Sequence, residues 1–414
     1  MTAIVDRQRI WRSTFSLGFG EIAARAFSFL ATIHVARVLG VRNFGRVEFA
    51  SAIVLYASAF ATFGLDIVGT LHVAASPSDA RTLARTIVAL RLRLATAACA
   101  VLMLLTLVVP RLAEIRLLLL LTFLVVWIEA ARLNWTFQGL ERMKRVAAAG
   151  ILGQAIYAGG VFAFVRDSGQ TLRVPVLSAA GSAATTILLA VIAWRSFASL
   201  PVLPHPGLAR SLLREAAPLA ANAAASLVVY NADVVLLGFI LDERHVGLYR
   251  AATRIAGVFS MLGASYSTAV FPSIARAAVD RDRFARTLNW TVRTSAITWL
   301  AATIVLVAAA PQLLRLTFGQ AYQESIITLR LLIVSAAVVG VRAQFRHALV
   351  ALKRSERNVP PTLWAAAVNV GLNLLLIRRY GMRGAGIATI VSETVMLFLV
   401  WREVDRAMQR AAPP

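Results

Sequence analysis

Long apolar stretches constrain this chain more than any other feature. Runs of roughly 20 or more apolar residues recur almost end to end, separated by short basic clusters. A run of that length crosses about 30 Å of hydrocarbon as an α-helix. In lipid every backbone N–H and C=O must be satisfied internally, which leaves helices or a closed barrel. The period-2 alternation and polar lumen face of a barrel are absent. The expected fold class is therefore all-α integral membrane. Composition agrees: the 414 residues are 59% hydrophobic and only 15% charged, where soluble domains carry about a quarter.

Breaks at charged, Pro and Gly clusters divide the sequence into about twelve expected transmembrane helices. The first six run over 14–38, 46–72, 83–109, 114–137, 145–165 and 173–195. The second six run over 211–240, 246–275, 286–309, 322–351, 360–377 and 384–402. Between the sets, Pro201, Pro204 and Pro206 make an extended connection that cannot continue a helix. The expected organisation is a lobe over 1–198, a cytoplasmic linker over 199–210 and a second lobe over 211–414. The basic start (Arg7, Arg9, Arg12) leads into an apolar run without a small-residue cleavage site, which reads as an uncleaved first helix.

The formal net charge is +23, and the cations are almost all arginine. In a soluble chain that balance would suggest nucleic acid. Here no basic soluble domain exists to bind one, and membrane proteins concentrate Lys and Arg in cytoplasmic loops. With the N-terminus inside, the cytoplasmic loops hold Arg81/Arg85, Arg142/Lys144/Arg145, Arg210/Arg214, Arg281/Arg283/Arg286 and Lys353/Arg354/Arg357. The opposite loops are less basic, so both termini are expected in the cytoplasm. Cys99 is the only cysteine, and His34, His72 and His347 lack ligand spacing, so neither a metal nor any other cofactor is expected.

An internal repeat is visible. Leu39-Gly40-Val41-Arg42-Asn43-Phe44-Gly45 and Leu241-Asp242-Glu243-Arg244-His245-Val246-Gly247 follow one pattern half a chain apart. Gly139-Leu140-Glu141-Arg142 corresponds more loosely to Ala351-Leu352-Lys353-Arg354. Parallel repeats of this kind imply lobes related by an axis along the membrane normal, with the substrate site between them.

Charge inside a span costs about 2.5–3.5 kcal/mol on insertion scales, so it faces protein or a watery cavity. Arg25, Arg132, Arg250, Arg254, Arg293, Arg330, Arg342 and Arg346 lie well inside expected spans. Arg250/Arg254 and Arg342/Arg346 are i,i+4 pairs that share a helix face. Such arginines either line a cavity, snorkel to an interface or pair with a carboxylate, as Glu21/Arg25 would. The acids within spans are Glu21, Asp66, Glu129, Asp233 and Glu393. Each can neutralise an arginine or, when desolvated, titrate and couple transport to an ion. Asp233, with Asn231 and Asn222 on its span, is the first candidate for coupling. Asn369 and Asn373, also i,i+4, can bind sugar hydroxyls or a neighbouring helix. Pro218 and Pro272 interrupt long apolar runs and are expected to permit bending.

Val246-Gly247-Leu248-Tyr249 with Arg254, and Asn369 through Gly381 followed by Gly384-Ala385-Gly386-Ile387-Ala388-Thr389, resemble signatures of the polysaccharide-transport (O-antigen-type, Wzx-like) flippases of the MATE-like superfamily. Ala36-Arg37-Val38-Leu39-Gly40 with Phe44-Gly45, Phe63-Gly64-Leu65 and Phe137-Gln138-Gly139 also fall where that family has counterparts. Two positions depart from its pattern: Phe63 precedes Gly64 where Asp is common, and Arg378 replaces a Pro. The related lipid II flippase usually has about fourteen spans, more than this chain holds comfortably.

The resemblance implies two six-helix lobes and no enzymatic activity. It implies alternating-access transfer of polyprenyl-pyrophosphate-linked oligosaccharide from the cytoplasmic to the periplasmic leaflet of a bacterial inner membrane. The partners implied are that lipid-linked glycan, the bilayer and polysaccharide polymerase or assembly proteins, with the flippase a monomer. Arg25, Arg250, Arg254, Arg293, Arg330, Arg342 and Arg346 would then form a cationic cavity, since guanidinium forks suit a pyrophosphate. Asn222, Asn231, Asn369 and Asn373 would add polar groups, and Asp66, Glu129, Asp233 or Glu393 would couple an ion. Two alternatives remain: a glycosyltransferase or polymerase on the same lipid carrier, and a MATE-like exporter of small molecules. The first lacks a large extramembrane loop with a DxD or nucleotide motif; the second fits poorly with an interior that repels cations.

Overall fold

A computed structural model describes residues 7–197 and 207–410. Helices dominate: α1 (Arg7–Thr62), α2 (Leu65–Ala75), α3 (Ala80–Val108), α4 (Pro110–Ala113), α5 (Arg116–Ala130), α6 (Asn134–Gly139), α7 (Met143–Phe164), α8 (Arg173–Phe197), α9 (Leu208–Ile240), α10 (Glu243–Ala277), α11 (Arg281–Thr317), α12 (Ile326–Ala351) and α13 (Val359–Arg410). No strand occurs among the described residues. The Pro-rich connection and the Arg25 side chain lie outside them. Two compact units result, Met1–Ala224 and Ala225–Pro414, with α9 continuing across the boundary.

Among the described residues ten helical stretches are long and apolar enough to cross a membrane, and the chain is a multi-pass membrane protein. Two of them, Ala26–Ala75 and Ser355–Gln409, have 50 and 55 residues. At 1.5 Å per residue each is more than twice the thickness of hydrocarbon, so neither is a single crossing. Each contains a glycine with non-helical geometry, Gly40 at φ 73° and Gly381 at φ 60°. Those angles lie in the region that glycine adopts most freely, and both glycines belong to the motifs noted in the sequence.

Two other joints are capped by aspartate. Asp242 opens α10 by accepting the His245 backbone N–H at 2.9 Å, and Asp280 opens α11 by accepting that of Arg283 at 2.7 Å. Partial burial works to raise the Asp242 carboxyl, but the His245 N–H and ring outweigh it and hold it below its ordinary value. Pro218, Pro272 and Pro311 lie inside α9, α10 and α11, which stay helical through them.

The two units repeat one another in detail. After α6 the chain turns at Glu141, and after α12 at Lys353, both with φ 56°. Arg142 N–H donates to Phe137 C=O at 2.8 Å, and Arg354 N–H to Leu349 C=O at 2.8 Å. Both are the six-residue bond of a Schellman cap, which closes the last turn of a helix. Each cap sits beside an apolar core at one end of its unit. The first core holds Val73, Leu83, Ile87, Phe137, Leu189 and Ala193; the second holds Ile274, Phe284, Leu288, Leu349, Val400 and Val404. Taken in order, these residues pair off at separations of about 200–212 positions, as the sequence repeat requires.

A left-handed conformation costs a residue with a Cβ about 1 kcal/mol that glycine avoids. Glu141→Gly and Lys353→Gly are each expected to stabilise their unit by about 0.5–1 kcal/mol. Thermal unfolding in detergent should show a higher midpoint for both.

Candidate functional site

The strongest polar constellation of the second unit lies on α9, α10, α12 and α13. Arg342 sits nine residues from the end of α12, about 14 Å along its axis, and is 1% exposed. A buried arginine at that depth requires a counter-charge. Glu393 of α13, 2% exposed, supplies it at 2.9 Å from Nη2. The same Nη2 donates to the Tyr230 hydroxyl on α9 at 3.2 Å. Arg342 Nε and Nη1 are buried without a hydrogen-bond partner.

Arg346, one turn further along α12, is exposed and makes no hydrogen bond or ion pair among the described residues. It lies in the electrostatic field of Arg342, Glu393 and Tyr230. One carboxylate therefore serves two arginines, and the cluster carries excess positive charge. Arg293 on α11 is likewise exposed and without an ion pair among the described residues.

A second group adjoins the α9–α10 joint. Asp233 and Asn231 are buried on α9. Asp233 accepts from the hydroxyl of buried Tyr249 and from the Val234 N–H, while Arg250 Nη2 donates to Asn231 Oδ1 at 2.7 Å. Tyr249 and Arg250 belong to the Val246–Arg254 motif, so that motif seals α10 against α9. Arg254 is exposed on the same helix, and Arg330 of α12 donates Nε to the Val307 carbonyl at 3.1 Å.

The four asparagines behave differently from one another. Asn369 and Asn373 are fully buried: Asn373 donates to the Asn369 side chain at 3.0 Å, and Asn369 donates to Ser392 Oγ at 3.1 Å. The Asn369 amide joins the two parts of α13 on either side of Gly381. Asn222 is exposed and lies in the first unit.

In the first unit, Asp66 and Glu129 both meet arginine. Glu129 pairs with Arg132 at 2.9 Å, and Asp66 with Arg91 at 2.8 Å. Arg91 was not singled out by the sequence reading. It is 3% exposed and lies 11 residues into α3, so burial inside an apolar helix was the available signal. Tyr230 and Tyr249 were missed because a tyrosine in an apolar span reads as packing.

Comparison with known proteins decides the lineage. A model of the family described as polysaccharide biosynthesis protein matches residues 10–278, well over half of the chain. The chain belongs to the polysaccharide biosynthesis protein family. A model of the family described as lipid II flippase MurJ matches residues 176–412, also more than half of the chain. An Escherichia coli protein named as an O-antigen transporter is 24% identical over 76% of this chain and 78% of its own length. Two Haloferax volcanii proteins named as probable flippases also match, and the chain spans just over a third of the length of each.

Two solved structures show that the fold is shared. Lipid II flippase MurJ in an inward closed conformation has a TM-score of 0.75 at 12% identity, over 95% of this chain and 89% of that one. An inward-facing MATE family multidrug transporter has 0.73 at 15% identity, over 94% and 96%. The fold of this family member is therefore MATE-like.

Removing one partner of a buried ion pair strands the other charge, at about 3–5 kcal/mol. Glu393→Ala is expected to destabilise the second unit by that amount. Replacing both groups, as in Arg342→Met with Glu393→Leu, should restore stability to near the parent value. Unfolding midpoints of the three variants in detergent check this.

Proposed function

We propose that this chain is a flippase that carries polyprenyl-pyrophosphate-linked oligosaccharide from the cytoplasmic to the periplasmic leaflet of a bacterial inner membrane. The observation that carries the reading is the charge imbalance at Arg342, Arg346 and Glu393. A pyrophosphate supplies the missing negative charge, and two guanidinium groups one turn apart match its oxygens. Arg250, Arg254, Arg293 and Arg330 extend the cationic field along which the headgroup travels, and Tyr230 and Asn222 offer groups to the glycan.

Transport is by alternating access: the headgroup enters from the cytoplasm, the polyprenyl tail stays in lipid, and the lobes rock to release the glycan outside. Binding alone gives no direction, so an ion gradient or removal of product supplies it. Asp66, Glu129 and Glu393 each pair with an arginine, which supports a counter-charge role for all three. A polymerase or assembly protein that consumes the flipped unit is the fitting partner. The family membership supports transport over catalysis. Excess arginine also disfavours a cationic drug as substrate, because like charges repel in a low-dielectric site.

Deleting the gene should cause complete polyprenyl-pyrophosphate oligosaccharide to accumulate on the cytoplasmic side. The parent gene should clear it, and Arg346→Gln at equal expression should not. Accumulation of incomplete glycans would instead support an enzyme, and no accumulation at all would remove this substrate class.

A further inference from the structure

Two interruptions of the first unit meet at one buried arginine. The break between α1 and α2 falls at Phe63, with φ 46°, and Gly64, with φ 70°. The break between α5 and α6 falls at Ala131–Leu133. Backbone groups freed in this way inside a membrane need new partners. Arg91 of α3 supplies them: Nη2 donates to the Glu129 carbonyl at 2.8 Å and Nη1 to the Arg132 carbonyl at 3.4 Å. Nη1 also reaches Asp66 Oδ1, in the first turn of α2, at 2.8 Å. One side chain thus holds the end of α5 and the beginning of α2.

Beyond the breaks, α2 and α6 are bound tightly to each other. A Cβ placed on Gly69 of α2 would come within 2.5 Å of the Trp135 ring on α6. One placed on Gly139 of α6 would come within 2.7 Å of the Thr70 carbonyl and 2.9 Å of Val73 Cβ. Thr70 also donates to the Trp135 carbonyl at 3.3 Å. The Ile87 side chain of α3 reaches Gly69 from the other side, 2.8 Å from the same Cβ position. Val68 and Val73 of α2 share an apolar core with Leu212 and Ala216 of α9, and the polar tie at the far end of α2 is His72 with Glu215 at 2.9 Å, both well exposed. An ion pair so open to solvent holds weakly.

We propose that α2 and α6 form one rigid leaf, hinged at Phe63–Gly64 and Ala131–Leu133, that Arg91 latches shut through Asp66. The hinges are the two places where the helices are already broken, so opening sacrifices no further helical hydrogen bonds. The leaf lies at the end of the unit that bears Arg81/Arg85, Arg142/Lys144/Arg145 and Arg210/Arg214, the end expected in the cytoplasm. Arg91 is thereby a positioning residue for transport. It acts through Asp66 on the cytoplasmic side of the unit, whatever headgroup is carried.

Asp66→Asn removes the latch and leaves the contacts of Arg91 with the Glu129 and Arg132 carbonyls. In a Cys99→Ala background, single cysteines replace Ile87, between leaf and α3, or Val73, inside the leaf. A membrane-impermeant maleimide is applied to the cytoplasmic face. Asp66→Asn is expected to speed labelling at position 87 by roughly fivefold or more, a change of about 1 kcal/mol in opening, and to leave position 73 protected. Asp66→Glu should return position 87 to the parent rate. Faster labelling at both positions means local unfolding and overturns the leaf. Unchanged labelling at both overturns the latch. Neither outcome bears on which lipid is flipped.

Discussion

The cost of holding arginine in a low-dielectric interior governs this structure. A guanidinium inside a membrane span is stable only where a carboxylate, a carbonyl or water receives it. The first unit meets that demand with Asp66 and the Glu129 and Arg132 carbonyls around Arg91, and with Glu129 beside Arg132. The second meets it with Glu393 beside Arg342. Where the demand exceeds the supply, at Arg346, we propose that the charge is met by a ligand. Structural and functional arginines are thus separated by whether a partner reaches them, and residue type alone does not distinguish them.

The units apply the same architecture to different ends. Their matching Schellman caps and end cores show that one helical design occurs twice along the chain. The position of α6 in the first unit corresponds to the uninterrupted C-terminal part of α12 in the second. The first unit breaks its helix there and places Arg91 against the break. The second keeps the helix intact and carries buried Arg342 and exposed Arg346 on successive turns. If the proposed hinge holds, a repeated fold carries a joint in one half and a continuous charged helix in the other.

Much of this was legible in the sequence, for identifiable reasons. Span lengths follow from apolar runs, because a bilayer permits little else. Gly40 and Gly381 were visible as motif positions, since backbone geometry selects glycine there, and the Leu352–Lys353 joint was visible as one half of the repeat. Glu129 with Arg132 is a local pair that i,i+3 spacing reveals. Arg342 with Glu393, and Arg91 with Asp66, connect different helices, and no local pattern encodes such contacts. The break at Ala131–Leu133 contains neither Gly nor Pro, so nothing in its composition announced it. Asn369 and Asn373 share a face as their spacing requires, yet burial turns them toward each other and Ser392.

The central claim is that uncompensated arginine charge recognises the phosphate of the lipid carrier. It is tested most directly by measuring how tightly the purified protein binds a polyprenyl pyrophosphate and the matching uncharged polyprenol. The account predicts that the pyrophosphate binds at least about tenfold more tightly, about 1.4 kcal/mol, and that Arg346→Gln erases most of the difference without lowering the unfolding midpoint. Equal affinity for the two lipids, or a preference that survives Arg346→Gln intact, would contradict it.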